Sequence, residues 1–239
     1  MVSDIDGMRL LYVPAGEFIM GSDTGPSNQA PAHTVILDAF WIDQTEVTIA
    51  MYKKCVQAGA CQPPIEKPDN YYYYGDAQYD DYPVIYVDWS RADAYCTWAG
   101  RRLPTEAEWE KAASWDDQAK TKRTYPWGDE EPTVLLLNYN KSQKSAMPVG
   151  TYPDGTSLYG ALDMAGNVWE WVTDYYDPNY YKDSPSSNPP GPTVSQGYRV
   201  IRGGSFFTMG AAGVTASFRF PEEPDEVYSG VGLRCAQTP

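Results

Sequence analysis

The sequence predicts an α+β domain with few helices and much irregular backbone, and three observations lead there. Gly and Pro number 20 each in 239 residues, so turns and irregular connections should be abundant. Helix patterns with start and stop signals are confined to the first half, and the remainder is short β-branched and aromatic runs between polar, Pro-rich stretches. Hydrophobic residues make up 42% and aromatics 14%, with 20 Tyr and 8 Trp, which is enough for a core. There is no internal repeat. Two long loops are expected, Gln62 to Tyr82 and Asp177 to Gln196. Both are flanked by segments of one aromatic, Gly-rich character, so residues 1–239 read as a single domain, with room for it to be part of a larger protein.

Met8 to Val13 is a short apolar run closed by Pro14, Ala15 and Gly16, and Glu17 to Gly21 follows as a second strand. His33 to Ile42 mixes β-branched and aromatic residues as one strand would. The first helix should start after Thr48 as N-cap, carry Tyr52, Cys55 and Val56 at helical spacing, and stop at Gly59. A second should start at Ser90, place Ala92, Tyr95, Cys96 and Ala99 on one face, and stop at Gly100. A third opens with a capping box, Thr105 with Glu108 three residues on. The clearest late strands are Arg199 to Arg202 and Val231 to Cys235.

The formal net charge of −14 opposes binding to nucleic-acid phosphates, whose affinity comes from Lys and Arg, and docking on anionic lipid. No apolar run is long enough to span a membrane. The start, with Asp4 and Asp6 and no basic region before an apolar stretch, is not a secretory signal, which points to the cytoplasm. Cys55, Cys61, Cys96 and Cys235 allow three pairings. A local bridge between the first two is geometrically conceivable, but a chain without a signal is expected to keep four reduced, mostly buried thiols. A single histidine, His33, leaves no convincing Ser-His-Asp set, and no phosphate-binding Gly-rich loop of the Walker type occurs. Acidic runs at Thr105 to Glu110, Asp129 to Glu131 and Pro221 to Glu226 read as caps or solvated faces.

An ordered series of segments carries a resemblance: VPAGEFIMGS from Val13, AFWIDQTEVT from Ala39, AYCTWAGRRLPTEAEWE from Ala94, YPWGD from Tyr125, YGALDMAGNVWEW from Tyr159, RVIRGGSF from Arg199 and GLRCA from Gly232. Together they resemble the formylglycine-generating-enzyme (sulfatase-modifying factor) family, which implies a variant of the C-type lectin fold. That family's oxidising members carry two copper-binding cysteines just after the RGGS segment. Here Thr208 and Gly213 stand at those places, and neither supplies the soft thiolate that suits Cu(I). Some relatives hold iron through a histidine cluster, which one histidine cannot make. No catalytic residue, copper site or iron site is therefore expected.

The resemblance further implies structural calcium, a hard cation that takes oxygen ligands, at Asn167 and Glu170 with carbonyls around Ala165 and Val168, and at Asn138. It places the functional surface in a groove beside the RGGS segment, giving Phe206, Phe207, Thr208, Met209, Phe218, Phe220 and Tyr228 as ligand-binding candidates. At least three of Phe207, Thr208, Met209, Phe218 and Tyr228 should be exposed on one face. Trp169 and Trp171 are expected in the core. Departure from the family pattern is concentrated in residues 206–230, as in the variable proteins of diversity-generating retroelements. A non-catalytic display domain for a protein or other surface ligand is the expected function, and the alternative is an oxidoreductase-related member with altered chemistry.

Overall fold

The computed structural model describes residues 1–67, 71 and 73–239. Strands β1 (Leu10–Val13) and β2 (Gly16–Met20) open the chain, followed by β3 (His33–Leu37), β4 (Phe40–Asp43) and helix α1 (Ile49–Gln57). Helices α2 (Trp89–Trp98) and α3 (Glu106–Ser114) come next, then the short pair β5 (Trp115–Asp116) and β6 (Thr121–Lys122). The C-terminal half holds β7 (Trp169–Tyr175), β8 (Arg199–Arg202), β9 (Arg219–Glu222), β10 (Val231–Leu233) and β11 (Ala236–Gln237). The α+β class is as expected. His33 to Ile42 is two strands rather than one, broken at Asp38–Ala39, because β3 pairs with β2 while β4 pairs with β1 and β11.

Local chemistry fixes the helices. Thr48 caps α1 by accepting from Met51 N at 3.2 Å, and Gly59 follows the helix in the left-handed region at φ 72°. Helix α2 begins one residue earlier than expected. Its N-cap is Asp88, whose carboxylate accepts from Arg91 N at 2.8 Å. The capping box of α3 is complete: Glu108 N donates to Thr105 Oγ1, and Thr105 N donates to Glu108 Oε2.

The central element is the sheet β10-β7-β8-β9, in which β10 runs parallel to β7 and the other neighbours are antiparallel. Alternation along β7 and β8 sends Val172 and Val200 to one side, onto α3, β2 and β3. Trp171 and Ile201 go to the other, onto α1 and α2. The sheet therefore has a core on each face.

Three buried carboxylate–guanidinium pairs tie this sheet to its surroundings. Arg234 Nε and Nη2 donate to the two Glu170 oxygens at 2.6 and 2.7 Å. Arg219 forms a two-pronged pair with Glu106 of α3 at 2.7 Å on both prongs. Arg202 pairs with Glu110 of the same helix, which also accepts from Lys122 Nζ at 2.5 Å. Burial alone would raise the Glu110 pKa, but Lys122 and Arg202 outweigh it and hold the carboxyl below its usual range. The same arginines donate to loop carbonyls, Arg202 to Ala216, Ser217 and Phe218, and Arg234 to Asp43, Gln44 and Leu162.

The four cysteines are paired, which corrects the expectation of reduced thiols. Cys55 and Cys61 bracket the turn at Gly59 that reverses the chain after α1, bringing their Cα atoms to 5.3 Å. Cys96 on the buried face of α2 meets Cys235, just after β10, with Cα atoms 5.6 Å apart. On the chain-entropy argument a 139-residue separation confers about 5 kcal/mol and the six-residue loop about 2 kcal/mol. Replacing Cys96 and Cys235 together by Ala should therefore lower the melting temperature more than replacing Cys55 and Cys61. Four reactive thiols in the unfolded, unreduced protein would show that the pairs do not form.

Candidate functional site

The RGGS segment leaves β8 through Gly203 and Gly204 and turns back beside the sheet. Gly204 has φ 78°, and a Cβ there would lie 2.8 Å from Gly213 O, so only glycine fits the close approach. Ser205 N donates to Thr208 Oγ1 at 2.9 Å, and Thr208 N donates to Ser205 O at 2.9 Å. A Cβ built on Gly213 would sit 2.5 Å from Thr208 Cγ2. The two positions matching the family's cysteine pair are thus in contact. Here neither carries a thiol.

Next to this turn lies a groove of about 300 Å³. Trp169, Phe207, Phe220 and Tyr228 form its aromatic walls, with Glu222 and Ser229 at one side and Ile201 and Val231 beneath. Phe220 and Glu222 point the same way from edge strand β9, while Arg219, which precedes them, points inward to Glu106. Trp169 lies 5.9 Å, ring to ring, from both Phe218 and Phe220.

The candidate ligand-binding residues separate into three groups. Phe207, Phe220 and Tyr228 are 36%, 45% and 45% exposed and share the groove. Met209, at 68%, is exposed but does not line it, and Thr208 and Phe218 are half-buried. Of the five side chains expected to be exposed, Phe207, Met209 and Tyr228 are. Phe206 is a correction. It is buried among Ile85, Tyr86, Val168 and Val227, because its backbone N–H is drawn inward onto Asn167 O at 2.9 Å. Trp169 is the opposite correction, since it is half-buried at the groove and only Trp171 is fully enclosed. The period-two pattern Phe218, Phe220, Glu222 was the available signal for Glu222, which the reading as a solvated acidic run obscured. His33 stands at the start of β3, its ring tilted against that of Tyr181 at 5.0 Å and away from the groove.

The calcium candidates lie around GNVWEW. Gly166 and Asn167 both adopt positive φ, 77° and 57°, and a Cβ on Gly166 would lie 2.4 Å from Asn138 O. Glu170 is corrected to a structural role. Its two oxygens are taken by Arg234, and Oε2 also accepts from Trp109 Nε1 at 2.7 Å. A dication is disfavoured beside that guanidinium. Ala165 and Val168 are packed into apolar clusters through their side chains. Asn138 and Asn167 instead join Glu46. Asn167 Nδ2 donates to Glu46 Oε1 at 3.0 Å, and Asn138 Nδ2 lies 3.4 Å from Asn167 Oδ1. Two oxygens there, Asn138 Oδ1 and Glu46 Oε2, are buried without partners. Burial, then Asp163 and Glu170, pushes the Glu46 pKa well up. Asp163 is also raised, chiefly by burial. Among the described residues no three Asp, Glu, His or Cys groups converge as a metal shell, so a cation here must draw on amide and carbonyl oxygens. The unpartnered oxygens of Asn138 and Glu46 fit that use, whereas Glu170 does not.

Comparison with known proteins agrees with this architecture. Residues 4–239 match the sulfatase-modifying factor enzyme 1-like domain, and the chain belongs to that family. It is 35% identical over 260 residues to the hercynine oxygenase of Mycolicibacterium smegmatis, covering 93% of this chain and 60% of that protein. It is 32% identical over 278 residues to the formylglycine-generating enzyme of Streptomyces coelicolor, covering 94% and 87%. The solved structure of Treponema denticola variable protein 1 superposes with a TM-score of 0.78 at 25% identity, covering 96% of this chain and 95% of that one. The chain thus spans only 60% of the length of the hercynine oxygenase it matches. Among the described residues no helix is long and apolar enough to cross a membrane.

Proposed function

We propose that this domain is a non-catalytic ligand-binding module that presents the groove beside the RGGS turn, in the manner of a diversity-generating retroelement variable protein. One observation carries the reading. The two positions where family oxidases need thiolates are Thr208 and Gly213, packed against each other, while the adjoining groove is walled by Phe207, Phe220, Tyr228 and Trp169. Partly exposed aromatics in a concave site suit recognition. The likeness to the Treponema variable protein supports the same choice. The partner is proposed to be a protein or another surface ligand, not nucleic acid or membrane, and the net charge of −14 supports that.

The second reading, an oxidoreductase-related member with changed chemistry, is favoured by the matches to hercynine oxygenase and formylglycine-generating enzyme. One assay tests whether the family's oxidase chemistry is retained. The purified chain, with or without copper, should leave a cysteine-containing sulfatase peptide unoxidised, and formation of the aldehyde, seen by mass spectrometry, would establish the enzyme reading instead.

Recognition and stability should also be separable by substitution. Replacing Phe207, Met209, Phe220 or Tyr228 by Ala should shift stability by less than about 1 kcal/mol, whereas Trp171→Ala should cost about 3 to 5 kcal/mol. If the four variants unfold as readily as Trp171→Ala, the segment is core and the display reading falls.

Calcium is proposed as a structural ion using the oxygens of Asn138, Asn167 and Glu46 with neighbouring carbonyls. Binding to the folded state alone adds stability by mass action. Chelation should then lower the melting temperature, Glu46→Gln should remove that difference, and Glu170→Gln should destabilise equally with and without chelator. An unchanged melting curve under chelation would mean that a proton shared by Glu46 and Asp163 neutralises this corner.

A further inference from the structure

We propose that the cleft between the loop after β2, the end of β6 and residues 212–217 binds a tetrahedral oxyanion, a sulfate or phosphate group that is either free or carried by a larger ligand. This is a second site. It shares no lining residue with the aromatic groove, and it stands whatever that groove binds.

Charge singles the cleft out. The chain carries a net charge of −14, yet the lining of this cavity of about 240 Å³ includes Lys122 and Arg123 and no carboxylate. Behind Lys122 the ion pairs run to an excess of cations. Lys122 and Arg202 share Glu110. The second acid near Arg202, Glu106 at 3.7 Å, is already held by both prongs of Arg219. Three cations thus meet two carboxylates. The next acid, Asp174, accepts from Glu106 N, and burial, followed by Glu106, pushes its pKa up to about 7, so it supplies only part of a negative charge near neutrality. Arg123 has one carboxylate within 4 Å among the described residues, Asp116 at 3.7 Å, which is beyond hydrogen-bond reach. Asp129 also feels Arg123, but it is engaged by the N–H and hydroxyl of Thr124.

Unused donors point the same way. Lys122 Nζ spends two of its three hydrogens, on Gly21 O and Glu110 Oε1. Gln29 lines the cleft from the loop after β2, is 1% exposed, and leaves Nε2 buried without a partner. A buried donor in that state costs stability unless an acceptor enters. The hydroxyls of Ser22 and Thr24 share one hydrogen bond at 3.1 Å, which leaves one hydroxyl hydrogen over. A cation is repelled here by Lys122 and Arg123. A neutral polyol takes the amide and hydroxyl donors but leaves both charges unmatched. A carboxylate matches one of them, whereas a doubly charged sulfate or phosphate group matches both through charge-assisted hydrogen bonds.

The test is a titration of the intact chain with sulfate, inorganic phosphate, phenyl phosphate and acetate, followed by calorimetry and melting temperature at an ionic strength held constant with chloride. Sulfate and phosphate should bind saturably at one site, on the order of tenfold more tightly than acetate. Arg123→Gln should weaken phosphate about tenfold, the loss expected for one charge-assisted contact. Ala212→Glu, which sets a carboxylate on an exposed part of the wall, should abolish binding. Both variants should melt as the parent does in chloride alone. Lys122 is left in place because it also holds Glu110. Phenyl phosphate separates the two sources: tighter binding than inorganic phosphate shows that the anion is the head of a larger ligand, and equal binding that it is a free ion. No saturable response to sulfate or phosphate, acetate binding as tightly as phosphate, or unaltered phosphate affinity in either variant would each overturn the inference, and none of these results bears on the aromatic groove.

Discussion

Three guanidinium groups with no exposed surface hold this fold together at its most irregular points. Arg202, Arg219 and Arg234 leave consecutive parts of the C-terminal sheet region and reach Glu110, Glu106 and Glu170. Pairing buried charges is not by itself a large source of net stability, because desolvation cancels much of the attraction. Their importance lies in the remaining donors. Each arginine has five N–H groups in a fixed plane, and those not used on a carboxylate bind carbonyls of loops that have no strand partner. Arg234 alone fastens Asp43, Gln44 and Leu162. A chain with so little regular structure would otherwise bury orphaned carbonyls. Removing one arginine would leave both a buried carboxylate and several carbonyls unmatched, so the pairs specify one arrangement of the loops.

That arrangement explains how a site can change while its frame does not. The RGGS turn begins at Arg202, and the groove residues Phe220 and Glu222 share β9 with Arg219. Alternation along β9 gives inward positions to the ion pair and outward positions to the groove. The outward side chains contribute little to the core, and the inward ones leave little freedom. Thr208 shows the same division within a single turn. Its hydroxyl satisfies Ser205 N, so the turn survives without the chemistry the resemblance associates with that position.

Much of the fold was legible because local signals and packing agree. The Thr48 cap, the Thr105–Glu108 box and the stop at Gly59 depend on neighbours in sequence, and all three are present. What failed depends on contacts distant along the chain. The split of His33–Ile42 follows from two different sheets claiming its halves, the disulfides from a Cys96 partner 139 residues away, and the role of Glu170 from Arg234. A carboxylate beside Asn167 in sequence looks like part of one ligand set. In three dimensions they point to different partners, because Glu170 lies on a strand and Asn167 sits in a left-handed turn. Phe206 and Phe207 show the limit most simply. They are adjacent and identical in type, and the turn after Ser205 sends one into the core and leaves the other, packed against it, at the groove.

In the groove, aromatic surface meets a carboxylate, Glu222, that forms no ion pair among the described residues. Elsewhere, the deeply buried acids Glu106, Glu110 and Glu170 have an arginine, and the arginine nearest the groove in register is clamped between Trp89 and Tyr175. Glu46 and Asp174, by contrast, are buried with no ion pair among the described residues and are pushed up in pKa by burial, and Glu222 stands at the rim of an apolar cavity. Solvent stabilises a fully exposed carboxylate without difficulty, but Glu222 is half-buried, and burial disfavours its charged form. Electrostatic and apolar complementarity therefore converge on the same few side chains, which is the arrangement a selective binding site requires.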